Sequence, residues 1–106
     1  MDIKDNYEII EKFLRNQMSA EENEDFLKTS HILLGKIYTD EENYEEAEKE
    51  FQIILQKDEN SADAHFSLGV LYEKQGDMAK ARSEWRRCLK IQPNHSGAIQ
   101  KISENK

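Results

Sequence analysis

The residues able to do chemistry in this chain are few and poorly assembled for it. Three histidines stand at positions 31, 65 and 95, and a single cysteine at 88. No two histidines have the i, i+4 spacing that sets a pair of metal ligands on one helix face. No serine lies in a Gly-x-Ser-x-Gly turn, and no glycine-rich loop precedes a helix to cradle a phosphate. One thiol forms neither an intramolecular disulfide nor a multi-thiol zinc centre. Cys88 falls on an apolar stripe and reads as buried and inert, because a reactive thiol needs exposure and a basic setting. His95 follows Pro93-Asn94 and reads as a solvated turn residue. The run Asp40-Glu41-Glu42 with Glu45, Glu46, Glu48 and Glu50 lacks the ligand order and turn glycine of a calcium loop, so it reads as a solvated acidic face. Arg86 and Arg87 adjoin on the outer side of their segment. The expectation is a chain with no catalytic residue, no metal and no cofactor: not an enzyme.

Bulk properties point the same way. The 106 residues suit one domain. Leu, Ile, Val and Phe together number only 23, too few for a core around a deep pocket. Four glycines and one proline leave little material for hairpin turns, so the composition favours helix. No stretch nears the roughly 18 apolar residues of a membrane span. Met1-Asp2-Ile3-Lys4-Asp5 lacks the basic-then-apolar order of a secretory leader, and the expected compartment is the cytoplasm. The net charge of −7 divides unevenly. Residues 1–60 hold 17 acids and 7 bases (−10), and residues 61–106 hold 5 acids and 8 bases (+3). Neither nucleic acid nor a membrane is the expected partner.

The elements that must position any binding residues emerge from an internal repeat. A shift of 34 residues aligns His31 with His65, Leu34-Gly35 with Leu68-Gly69, and Tyr38 with Tyr72. It also aligns Asn43 with Asp77, Ala47 with Ala81, Glu50 with Glu84, Phe51 with Trp85 and Leu55 with Leu89, without a gap. Two units result, 28–61 and 62–95, each reading as two helices. In the second, Ala64, Leu68, Leu71 and Tyr72 share helical spacing, Gln75-Gly76-Asp77 interrupts, and Met78, Ala81, Trp85, Cys88 and Leu89 resume it. Ser61 and Asp77 are expected helix caps, and Asn43 with Glu46 an expected capping box. Gly35 and Gly69 each cost a helix about 1 kcal/mol relative to alanine, which implies a close approach of backbones at one register. His31 and His65 share a register too, and are expected to pack between helices.

Both units resemble the tetratricopeptide repeat family. Unit two supplies Leu68-Gly69, Tyr72, Gly76, Ala81, Trp85, Cys88 and Pro93; unit one supplies Leu34-Gly35, Tyr38, Ala47, Phe51 and Leu55. His31 and His65 stand where the family often has Trp, Ile54 where it has a small residue, and Glu59 where it has Pro. The resemblance implies an all-α, right-handed helical-hairpin solenoid. It also implies a concave groove, lined by the first helix of each unit, that receives a peptide or a helix of a partner protein. Carried over residue by residue, the groove positions are Thr29, Ile32, Lys36, Thr39 and Asp40 in unit one. In unit two they are Asp63, Phe66, Ser67, Val70, Glu73 and Lys74. Phe66 is the sharpest anchor candidate, unless an N-terminal helix covers it together with Ile32 and Val70. The subclass that clamps acidic chaperone tails is disfavoured, because Ile32, Val70 and Ser67 occupy clamp-like places and Lys36 alone does not make a clamp.

The flanks complete a single repeat domain over 1–106. Residues 1–27 form a helical flank whose apolar face is Tyr7, Ile10, Phe13 and Leu14, expected over about 5–17, serving as a cap or as a second binding element. Ser19-Ala20-Glu21-Glu22 reads as a capping box that starts the next helix near residue 20 and carries it to Tyr38. Residues 96–106 read as a short capping helix with Ala98, Ile99 and Ile102 on its buried face. The leading function is a protein-interaction module. The alternative is a self-assembling scaffold that joins an acidic front to a basic back, a homo-oligomer.

Overall fold

The computed structural model describes residues 3–20 and 23–105, with side chains from residue 6 onward. The helices are α1 (Ile3–Ala20), α2 (Glu24–Asp40), α3 (Tyr44–Lys57), α4 (Ala62–Lys74), α5 (Met78–Ile91) and α6 (Ser96–Glu104). No strand occurs among the described residues, so the fold is all-α.

Caps explain most helix starts. The side chains of Asn23, Ser61 and Asp77 accept from the backbone N–H of Phe26, Ala64 and Lys80, satisfying amides that have no partner inside their own helices. Asn43 holds the corresponding place before α3, but its side chain makes no capping bond, so the expected box with Glu46 does not form. Ser19 does not open a helix either. Its hydroxyl donates to the Asn16 carbonyl at 2.8 Å while α1 runs on to Ala20. The next helix is opened by Asn23, and Glu21 and Glu22 of that expectation lie outside the described residues.

Each unit folds as a helix pair, α2 with α3 and α4 with α5, pinned at one register by glycine. A Cβ placed on Gly35 would lie 2.5 Å from Phe51 Cζ, and one on Gly69 would lie 2.5 Å from Trp85 Cδ1. The approach differs from the expected one of backbone to backbone: in both pairs the glycine admits an aromatic ring of the facing helix, which rests on bare backbone. Phe51 and Trp85 are buried, each contributing about 1.5–3 kcal/mol or more of apolar burial. Phe51 belongs to one cluster with Leu14, Leu34, Tyr38, Ala47, Leu68 and Leu71; Trp85 belongs to another with Ala62, Ala81, Cys88 and Ala98.

A second contact recurs at the same 34-residue period. His31 Nδ1 lies 3.0 Å from Glu50 Oε1, and His65 Nδ1 lies 2.7 Å from Glu84 Oε2. Both carboxylates are buried and need a further donor. Glu84 finds it three residues on, in Arg87 at 3.0 Å. Unit one has Ile53 at that place, and α1 supplies the cation instead: Arg15 lies 3.6 Å from Glu50.

The end helices are half-units. Tyr72 donates to Glu48 of α3 at 3.4 Å, and Tyr38 donates likewise to Glu11 of α1. Leu14 and Met18 pack into the cluster of Leu34 and Tyr38 as Phe51 and Leu55 do beside Leu68 and Tyr72. Thus α1 sits on α2 as α3 sits on α4: it is the second helix of a unit whose first helix is absent among the described residues. Conversely, α6 begins 34 residues after α4, with Ala98 buried as Ala64 is, and is the first helix of a third unit. The apolar faces expected for these helices are only partly used. Leu14 and Ala98 are buried, but Ile10 is 38% exposed, Phe13 61% and Ile99 47%, because no further helix among the described residues covers their outer sides.

Candidate functional site

Where α2 and α4 run side by side above α3, they leave an open hollow of about 250 Å³. Lys36, Thr39 and Asp40 reach it from α2 at i, i+3 and i+4, and Phe66, Ser67, Val70 and Lys74 from α4 at i, i+1, i+4 and i+8. Helical spacing thus places each set on one face. The hollow's floor includes Phe51, which the sequence had marked only as core filler. Four groove positions expected from the sequence stand outside it: Thr29, Ile32, Asp63 and Glu73. No residue of α1 lines it, so the N-terminal helix leaves Phe66 and Val70 open to it.

The polar groups are not equally available. Thr39 is buried and its hydroxyl donates to the Gly35 carbonyl at 2.7 Å, so it offers the hollow its methyl group rather than a donor. The acids are already engaged. Asp40 accepts from the Tyr7 hydroxyl at 2.9 Å, which raises that phenol above its ordinary value. Glu73 pairs with Lys101 of α6 at 2.7 Å, and Asp63 with His95 at 3.0 Å. Lys36 and Lys74 are exposed and make no hydrogen bond or ion pair among the described residues. The result is an apolar floor flanked by two cations without ion-pair partners among the described residues and by the carboxylate of Asp40, whose charge the Tyr7 hydroxyl does not neutralise.

Phe66 and His95 depart from expectation together. His95 is no solvated turn residue: its side chain is only 13% exposed. Its Nδ1 accepts from the backbone N–H of Ala98 and so caps α6, which leaves Nε2 to carry the proton toward Asp63. The ring lies against Phe66, with centroids 4.8 Å apart at 38°. A Cβ on Gly97 would come within 2.8 Å of Phe66 Cζ. Phe66 therefore shares its ring between the hollow and the joint of α4 with α6. The signal for His95 was present in the sequence, since it stands 34 residues after the capping Ser61.

Elsewhere the chemistry is muted. Cys88 is fully buried, and burial pushes its thiol up to about 11, with Asp63 adding to the effect. Burial raises Tyr72 to about 12, helped by Glu48. Arg86 stays exposed on the outer side of α5.

A family model described as tetratricopeptide repeat matches residues 32–96, a span that takes in most of α2 and all of α3, α4 and α5. No curated protein sequence matches the chain. Two gapless 34-residue helix pairs, each with its glycine against an aromatic ring, agree with that match, and the chain belongs to the tetratricopeptide repeat family.

Proposed function

We propose that this chain is a non-enzymatic interaction module that holds a peptide or helix of a partner protein in the hollow between α2 and α4. Tetratricopeptide repeats generally mediate protein–protein interaction. The observation that carries the specific reading is the apolar floor of Phe51, Phe66 and Val70, with the cations Lys36 and Lys74 outnumbering the one carboxylate, Asp40, at its rim. Such a site suits a segment with one apolar anchor and a neighbouring carboxylate. A buried Leu or Ile anchor contributes about 1.5–3 kcal/mol. An exposed charge pair adds less than about 1 kcal/mol, so the anchor sets affinity while the lysines set orientation and on-rate. With a net charge of −7 and only two cations at the groove, a protein suits it better than nucleic acid. No helix among the described residues is long and apolar enough to cross a membrane. The buried thiol of Cys88 accords with work in the cytoplasm.

Peptide-display selection against the folded chain, followed by amide chemical-shift mapping, tests this reading. Selected sequences should be rich in apolar–acidic pairs and should shift the signals of Lys36, Val70 and Lys74. Val70→Glu should weaken binding by about tenfold or more, with the helical signal unchanged. Undiminished binding by folded Val70→Glu overturns the assignment. Phe66→Ala is the poorer probe, because it also loosens the contact with His95.

A further inference from the structure

The two half-units are complementary to each other. In α3, the positions turned toward α2 are Ala47, Glu50, Phe51 and Ile54, all buried. α1 stands 37 residues earlier, so the same positions fall on Ile10, Phe13, Leu14 and Gln17. Leu14 is buried in the cluster with Leu34 and Tyr38, but the rest of this face is open: Phe13 is 61% exposed, Ile10 38% and the adjoining Ile9 57%. In α4, the positions turned toward α5 include His65 and Gly69, which meet Glu84 and Trp85. In α6 these become Ile99 and Ser103, with Ile99 47% exposed. Among the described residues, α1 is a second helix with no first helix against it, and α6 a first helix with no second.

We infer that α6 of one copy and α1 of another complete a single hairpin, joining copies of this chain head to tail through Ile99, Ile10 and Phe13. The substitutions at the two ends match one another. Where both intact units hold a buried His–Glu pair, the shared unit has Ile99 opposite Phe13, so both members turn apolar together. Where they set glycine against an aromatic ring, the shared unit has Ser103 opposite Leu14: the larger first member meets a smaller second one. A terminal helix facing water calls for a polar outer side instead.

The joint is apolar rather than electrostatic. α1 itself carries three acids (Asp5, Glu8, Glu11) and three bases (Lys4, Lys12, Arg15), so the acidic excess of the first sixty residues lies beyond it. The contact is also heterologous, using two different faces, so the assembly is open-ended unless the rotation closes it into a ring.

Sedimentation velocity on the full 12.5 kDa chain, over a concentration series at low and high salt, is the test. The expected result is concentration-dependent growth beyond a dimer that high salt does not abolish. Phe13→Glu and Ile99→Glu lie on exposed positions and leave each monomer folded. Each alone should weaken association by about tenfold or more. Mixed, they should form a one-to-one heterodimer, because Phe13→Glu retains a sound α6 and Ile99→Glu a sound α1. A chain that stays monomeric overturns the inference and leaves the α1 face to a different protein. Self-association that survives in Ile99→Glu alone overturns it in favour of α1 against α1, and association lost at high salt overturns the apolar joint.

Discussion

Replacing Gly69 by alanine sets two known effects against each other, and the geometry decides the sign. Alanine favours a helix interior by about 1 kcal/mol over glycine, so at an open position the change stabilises. At Gly69 the new methyl would lie 2.5 Å from Trp85 Cδ1 and 2.9 Å from Cε2, and closer still to Nε1. Those atoms belong to the rigid ring of a fully buried side chain, not to the end of a flexible one. Relief then requires α4 and α5 to separate, and overpacking of this kind costs about 1–3 kcal/mol, here at the upper end. The net expectation is a loss of about 1–2 kcal/mol. For a domain of this size that lowers the melting temperature by roughly 5–15 °C. Thermal and urea unfolding followed by far-ultraviolet circular dichroism measures it. The same alanine in a Trp85→Leu background should cost little or stabilise, giving a coupling of about 1 kcal/mol or more in a double-mutant cycle. A melting temperature for Gly69→Ala equal to or above that of the parent refutes the close-approach argument.

Three further outcomes are expected. Glu42 sits at φ 62° at the register where unit two has Gly76 at φ 85°, so Glu42→Gly should stabilise by about 0.5–1 kcal/mol, read as a raised urea midpoint. Burial favours the neutral thiol of Cys88, so its contribution to stability is full below the ordinary thiol value and lost as pH rises through about 11. Alkylation at mildly alkaline pH should accordingly proceed only at the rate of opening, and a rapid reaction of the folded chain contradicts this. Lys28, 3.0 Å away, holds the Asp58 carboxyl below its usual range, so the pair stabilises above that range and fades as pH falls through the lowered value. Asp58→Asn should remove a small, salt-sensitive part of the acid limb, because the pair is exposed to screening.

The two complete units were legible because nothing interrupts their 34-residue register, and because helical spacing, capping residues and paired glycines all agree. The end helices were half legible. α1 repeats Tyr44-Glu45, Glu48-Lys49 and the position of Leu55 as Tyr7-Glu8, Glu11-Lys12 and Met18, but at a shift of 37 residues. A search at 34 passes over it. Most of the groove positions on α2 and α4 followed from the family resemblance, whereas their availability did not. That Asp40, Asp63 and Glu73 are engaged depends on Tyr7, His95 and Lys101, which come from helices 28 or more residues away in sequence. Spacing within one helix carries no information about such partners. Asn43 is the reverse case: a good capping residue in the right place whose side chain is left unused.

The hollow is lined by α2, α3 and α4 alone, whereas the exposed ends are Ile10 and Phe13 on α1 and Ile99 on α6. The two surfaces meet indirectly, through Phe66 against His95 and Asp40 with Tyr7, so Phe13→Glu, which alters neither pair, separates them. If copies join through α6 and α1, every added copy contributes another hollow between its own α2 and α4. A site that binds one short segment weakly then becomes one of a series. A partner bearing several such segments gains effective concentration, with avidity exceeding the single-site affinity by about a hundredfold or more when the spacing fits. The consequence separates the two ideas. A single-segment peptide should bind the parent chain and Phe13→Glu equally. A two-segment peptide should bind the parent more tightly, and lose that advantage in Phe13→Glu while keeping its single-site affinity. Equal avidity in both proteins means the hollows act alone.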